Sequence, residues 1–222
     1  MAGGALVKHG WGAALAAILA AILAGARPAL AHPHVWVVGS TDVLFDGQGR
    51  VSGLRQHWTF DEMYSAFAVQ GLGKDGKQPT RDELAPLAKT NVESLAEFGW
   101  FTAARQGGRR VDFAEPADYW LDLDPKGVVS LHFTLPLKSA AEAKKPFSFQ
   151  TYDPTFFVSF SADKAKPATL VGAPAGCSMS VVEPPPLVAA EDDKLKQAAT
   201  ENFSPGVDLS IKLSTRIVVA CP

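Results

Sequence analysis

The stretch His34-Val35-Trp36-Val37-Val38-Gly39-Ser40-Thr41-Asp42-Val43-Leu44-Phe45 decides the reading of the fold. It is rich in β-branched and aromatic residues, it runs into Asp46-Gly47-Gln48-Gly49, and a second run of the same character continues through Phe60. Two such runs around a short Gly-bearing turn read as a β-hairpin. In the second strand Leu54, Gln56, Trp58 and Phe60 share one face, and Gly53, Arg55, His57 and Thr59 share the other, because successive side chains alternate. With Asp46 taken opposite Gly49, Val38 faces His57, Trp36 faces Thr59 and His34 faces Asp61. His34 and Asp61 are then expected to be cross-strand neighbours. His57 lies about 13 Å further along the strand from Asp61, at roughly 3.3 Å per residue.

Beyond the hairpin, Asp61 reads as the N-cap of a short helix starting at Glu62, and Thr80 with Glu83 forms a capping-box pattern. Leu84, Leu87, Val92, Leu95 and Phe98 carry an approximately helical period, which Pro86 disturbs if the helix begins much before residue 83. Trp100–Arg105 and Arg109–Phe113 flank Gln106-Gly107-Gly108 as a second hairpin. Tyr119–Leu123 and Val128–Leu137 make a third, turning at Asp124-Pro125-Lys126-Gly127. Strands are predicted over Phe147–Thr151 and Thr155–Phe160, near residues 169–171 and 178–182, and over Asp208–Cys221 as an alternating closing strand, with a helix at Glu191–Glu201. Runs of strands around two or three helices predict an α+β fold of mainly antiparallel sheets built from hairpins.

Upstream, Lys8, the apolar run Trp11–Ala26 and the small residues Ala29 and Ala31 read as a secretory signal at 1–31, cleaved before His32. Removing 31 of 222 residues leaves 191, read as a single mature domain at 32–222, with a division into two sub-domains placed near 140–190. Nineteen basic residues then face 23 acids, which does not suggest a nucleic-acid partner. No later segment is apolar enough for stable membrane insertion after processing. Cys177 and Cys221, an even count in an exported chain, are expected to pair and to tie the C-terminal strand.

With both thiols bridged, a transition-metal site has to be built from imidazole, carboxylate and the amino terminus. His32 and His34 lie within three residues of the expected new terminus. Pro33 has no amide proton, so the square-planar copper or nickel site that uses backbone amides is blocked. Two options remain: a copper brace from the His32 amine and ring, or a His and carboxylate site suited to zinc. The metal ligands expected are His32, His34, Asp61 and His57. His132 lies opposite the apolar face of its strand and reads as a plain solvent-facing residue, and Asp153 as a turn former. No Gly-x-Ser-x-Gly elbow, phosphate loop or His-Glu-x-x-His motif appears.

Four phrases, His32-Pro33-His34-Val35-Trp36-Val37, Trp58-Thr59-Phe60-Asp61-Glu62-Met63-Tyr64-Ser65, Gly99-Trp100-Phe101-Thr102 and Tyr152-Asp153-Pro154-Thr155-Phe156-Phe157, resemble the bacterial domain of unknown function 1007 family. The family is described as an uncharacterised periplasmic component of ABC-type transport systems, and the resemblance covers essentially the whole mature chain. Its members accompany metal uptake or export loci, including zinc-responsive ones and nickel/cobalt-type permeases, so the resemblance implies a metal role by association. The chain is short for a two-lobed solute-binding protein and lacks the histidine-rich loop of many zinc-binding components. The expectation is a non-enzymatic periplasmic metal-binding accessory protein, with zinc ahead of copper, nickel or cobalt, that serves a membrane metal permease or ABC transporter components. Two alternatives stand beside it: a metal-free docking module for a permease, and a copper-brace redox protein.

Overall fold

The computed structural model describes residues 34–74, 76–142, 144–201 and 206–222. The signal segment, its cleavage site and His32 lie outside the described residues. Two sheets and four α-helices make an α+β architecture among those residues. The first sheet contains β1 (Val35–Phe45), β2 (Val51–Phe60), β5 (Ala117–Leu123), β6 (Val129–Ala141), β8 (Val158–Ala162) and β9 (Ala168–Val171). Its order is β5-β6-β2-β1-β8, and β9 also pairs with β1. The second sheet contains β3 (Thr102–Gln106), β4 (Arg109–Val111), β7 (Phe147–Thr151), β10 (Ser178–Val182) and β11 (Arg216–Ala220), in the order β10-β11-β7-β3-β4. Pairing is antiparallel except where β1 runs parallel to β8 and β9. Segment 140–190 therefore serves both sheets, since β7 and β10 join one and β8 and β9 the other.

Alternation along β1, β2 and β6 decides which face is covered. Val35, Val37 and Val43, then Leu54 and Trp58, then Leu131, Phe133 and Leu135 all turn inward and are buried. Helix α1 (Glu62–Ala68) follows β2 directly, and α2 (Arg81–Ser94) supplies Leu84, Ala88 and Val92 to the core around Trp58 and Phe133. A second cluster joins Val43, Val51, Leu54 and Leu137 of the first sheet to Ala104, Phe147, Phe149, Ile217 and Val219 of the second. β6 is long enough to feed both clusters. Removing one of these large side chains is worth about 2–5 kcal/mol, so this inner face, not the polar outer one, holds the fold together.

One buried polar link crosses between the sheets. The Thr41 hydroxyl donates to Gln56 Oε1 at 2.7 Å, and Gln56 Nε2 donates to Thr102 Oγ1 at 3.3 Å. Gln56 is fully buried, and these bonds offset the cost of burying its amide.

The first hairpin forms as predicted, but its register differs from the expected one by two positions. Asp46 and Arg50 close the turn, one residue wider than expected, because the Asp46 carboxylate accepts from the Gln48 and Arg50 amides at 2.9 Å. Between the Phe45–Val51 and Leu44–Gly53 pairs, Ser52 forms a bulge that adds a second residue. Ser40 thus opposes His57, Val38 opposes Thr59, and Asp61 is brought against Trp36, not His34. A two-residue slip leaves every side chain on its expected face.

One further expectation is corrected, and three other elements are placed. Residues Val207–Leu213 form helix α4, not the start of a closing strand, which is confined to Arg216–Ala220. Leu209 and Leu213 are four apart and suit one helical face as well as one strand face, so the pattern was ambiguous. The predicted strands at Phe147 and Phe160 fall in different sheets. Helix α2 begins at Arg81, so Pro86 sits inside it and the capping box of Thr80 and Glu83 carries its start. Helix α3 spans Ala189–Glu201, and a Cys177–Cys221 disulfide ties β10 to the end of β11.

Candidate functional site

Asp61 is committed to the backbone. Its Oδ1 accepts from the Tyr64 amide at 2.8 Å and caps α1, while its Oδ2 accepts from the Trp36 amide at 2.9 Å. His34 lies at the open end of the hairpin, where its amide donates to the Phe157 carbonyl at 2.9 Å and its ring lies 4.8 Å from the Phe157 ring. His57 stands four residues from Asp61, on the outer face of β2. Among the described residues, no three His, Cys, Asp or Glu side chains form a cluster able to hold a metal.

The hairpin's open end borders an aromatic pocket of about 240 Å³, with Val35, Trp58, Phe60, Phe101, Phe157 and Phe160 among its walls. All four phrases that carry the family resemblance send a residue to it or beside it. Gly99, Trp100 and Phe101 next to it are held at φ of 59°, 52° and 48°, and Phe156 at 60°. For bulky residues that backbone is strained. The Trp100 indole N–H donates to the Val92 carbonyl at 3.2 Å, and the Thr102 hydroxyl to the Trp100 carbonyl at 2.8 Å, which pins the turn.

The chemistry concentrates on the opposite, outer face of the first sheet. Pairing of β2 with β6 sets His57 directly across from His132, and pairing of β5 with β6 sets Trp120 across from His132. Their Nδ1 atoms are 2.7 Å apart. On the remote side, His57 Nε2 lies 3.2 Å from Asp42 Oδ2, and His132 Nε2 lies 3.4 Å from Asp122 Oδ2. A carboxylate–imidazole–imidazole–carboxylate row thus crosses four adjacent strands. Asp42 lies within hydrogen-bond reach of His57 Nε2 and favours an N–H there, Asp122 lies beside His132 Nε2 as an ion-pair partner, and both Nδ1 atoms face the central gap. At 2.7 Å the two Nδ1 atoms are within hydrogen-bond distance, and the tautomers decide which one donates.

The surroundings hold the row in place. Trp120 stacks on His132 at 4.7 Å and 12°, and its indole N–H donates to Asp122 Oδ2 at 2.8 Å. The Arg81 guanidinium, at the start of α2, donates to Asp122 Oδ1 at 2.7 Å and lies 5.2 Å from the Trp120 ring centre. Burial works to raise the Asp122 carboxyl, but the Arg81 and Trp120 donors together hold it below its ordinary range. Burial, and next the charge of neighbouring His57, push His132 down to about 4 against the pull of Asp122. His132 is therefore neutral near neutrality.

His132, Asp42, Asp122 and Trp120 were missed by the sequence reading, which left His132 facing solvent; in the structure its side chain is only 17% exposed. The alternation of Trp120-Leu121-Asp122 opposite His132, across the turn at Asp124–Gly127, was an available signal. The approach of β2 to β6, which joins the two histidines, left none.

Comparison with known proteins gives a consistent placement. A Haemophilus influenzae protein named "Uncharacterized protein" is 22% identical over 200 residues, spanning 86% of this chain and 92% of that relative. A Spirochaeta aurantia protein, "Uncharacterized 15.5 kDa protein in trpE 3'region", is 30% identical over 103 residues, spanning 46% of this chain and 69% of that relative. The model of the family described as "Protein of unknown function (DUF1007)" matches residues 17–221, from which it follows that the chain belongs to that family.

Proposed function

We propose that this chain is an exported, non-enzymatic accessory protein that captures a transition-metal ion for a membrane transport system. The observation that carries the reading is the outer-face pair, in which His57 and His132 turn one ring nitrogen each to a common gap and the other to a carboxylate. Metal-binding imidazoles are characteristically backed in this way, because the carboxylate fixes the tautomer and raises the basicity of the free nitrogen. The Cys177–Cys221 bridge supports an oxidising compartment such as the periplasm. No helix among the described residues is long and apolar enough to cross a membrane.

Native mass spectrometry of the processed protein, with zinc, copper, nickel and cobalt offered in turn, tests the reading. One ion per chain is expected, lost in His57→Ala and His132→Ala and kept in His34→Ala. Retention in the first two variants and loss in the third would move the site to the hairpin's open end. The absence of stoichiometric binding by any ion would leave a second reading, docking on a permease. That reading is favoured by the exposed Phe157, which lines the aromatic pocket, and by the exposed Met63 and Phe67 on α1.

A further inference from the structure

Building on the outer-face pair as the metal site, we infer that its ion is monovalent copper, held in a linear two-coordinate bridge between His57 Nδ1 and His132 Nδ1. Zinc, the ion first expected from the sequence, takes four donors in a tetrahedron. The pair supplies two, and among the described residues no third metal-binding side chain joins them. A filled-shell monovalent copper ion is satisfied by two nitrogen donors set opposite one another, so the donor count suits it and leaves zinc two short.

Direction is the second argument. The ring centres of His57 and His132 are 5.0 Å apart, which is the 2.7 Å gap plus the radius of each ring. The two lone pairs therefore point at each other along one line. A divalent ion preferring right angles, such as nickel or cupric copper, would need each ring to turn by about 45° to bring the lone pairs to a common point. Such a turn would carry each Nε2–H away from its carboxylate and lift His132 off the Trp120 ring that stacks on it. A linear bridge keeps all of these contacts.

Distance is the third. With metal–imidazole bonds of about 2 Å, a linear bridge spans about 4 Å, a little over 1 Å wider than the gap. The space exists behind the rings. The carboxylate contacts at 3.2 and 3.4 Å are long, and charge-assisted hydrogen bonds close to about 2.7–2.9 Å. Pushing both rings outward takes up about 1 Å in nearly the required direction and tightens both carboxylate bonds. Opening the gap for the ion thus improves the contacts around it.

Charge agrees. The charged groups in contact with the pair or its carboxylates are Asp42 on β1, Asp122 on β5 and Arg81 at the start of α2, and Arg55, on the same face of β2 as His57, donates to Thr134. The Arg81 guanidinium already neutralises one of the two carboxylates, so the charge left to the ion is nearer one than two.

The test is an anaerobic titration of the full purified chain with the copper(I)–acetonitrile complex against bicinchoninate. Zinc, nickel, cobalt and cupric ions are titrated in parallel, and the copper form is followed by X-ray absorption. The expected result is one copper(I) per chain with two nitrogen neighbours at a single short distance and no third. Affinity should fall by more than about 100-fold in His57→Gln and His132→Gln, by about 10-fold in Asp42→Asn, and not at all in His34→Gln. The absorption spectrum of the unaltered protein keeps the test decisive if a variant folds poorly. Tighter binding of a divalent ion at this pair, or copper with three or four neighbours there, would overturn the inference and leave the metal reading standing. Failure of every ion to bind there would overturn both.

Discussion

Replacing Asp61 by alanine separates a structural carboxylate from a metal ligand. The side chain accepts two backbone N–H groups, from Tyr64 and Trp36, and so fastens the start of α1 to the first strand. Loss of the helix cap is worth about 1 kcal/mol. Loss of the bond from the Trp36 amide adds about 1 kcal/mol, since that residue is half exposed and water replaces part of the interaction. Helix α1 has only seven residues and is not stable alone, so fraying at its start also loosens Ser65, whose hydroxyl accepts from the buried Val129 amide at 3.0 Å. The expected total is about 2 kcal/mol, seen as a lower urea midpoint by circular dichroism and a melting temperature lower by about 4–8 °C. Asp61→Asn keeps one accepting oxygen and should lose about half as much. Metal affinity at the His57–His132 pair should not change. A shift below about 0.5 kcal/mol for the alanine variant, or an asparagine variant as damaged as the alanine one, would refute the two-amide account.

Three other outcomes follow from the same coordinates. His132 is held near 4 in the folded chain against an ordinary 6.5, so between those values the unfolded chain binds a proton that the native one refuses, and stability falls as pH drops from 6.5 to 4. The ceiling is about 3 kcal/mol, reduced by solvent screening on the sheet face to about 1–2 kcal/mol; urea midpoints across that range should flatten in His132→Gln, and an unchanged slope would count against it. A Cβ at Gly53 would lie 2.9 Å from the Leu135 carbonyl oxygen of the adjacent strand, whereas one at Gly99 meets nothing within 4 Å but inherits a φ of 59°. Gly53→Ala should therefore cost about 2–3 kcal/mol and Gly99→Ala about 1 kcal/mol, and a reversed order of melting temperatures would contradict the packing described. The Cys177–Cys221 bridge closes a separation of 44 residues, so its loss should cost about 4 kcal/mol, read as the change in urea midpoint on reduction or in the paired serine variant.

The fold class was legible in the alternation of Val35–Phe45 and Val51–Phe60, because period-two patterns specify a buried face without reference to the rest of the chain. Register was less legible. The Asp46 carboxylate widened the turn and Ser52 bulged, and neither event disturbs the alternation on which the reading rested. Cys177 and Cys221 were paired correctly from their number and context. The closing helix at Val207–Leu213 was hidden because an i, i+4 apolar pair satisfies both periods. Half of the outer-face site was within reach, since the turn at Asp124–Gly127 sets Trp120 opposite His132 and Asp122 beside it. The other half depended on β2 meeting β6, residues 57 and 132 with no turn between them, and such a meeting is decided by the whole core and by no local signal.

The interleaved strand order also bears on how the chain reaches this state. β1 lies between β2, which follows it at once, and β8 and β9, which come more than a hundred residues later, while β11 is inserted between β7 and β10. Pairings of such long sequence separation form slowly. Until residues 216–220 arrive, β7 keeps an open edge flanked by Phe147 and Phe149, the kind of strand that recruits another chain. A chain halted before β11 is thus expected to aggregate and not to persist as a smaller folded unit, and newly made protein would gain from a chaperone that masks that edge.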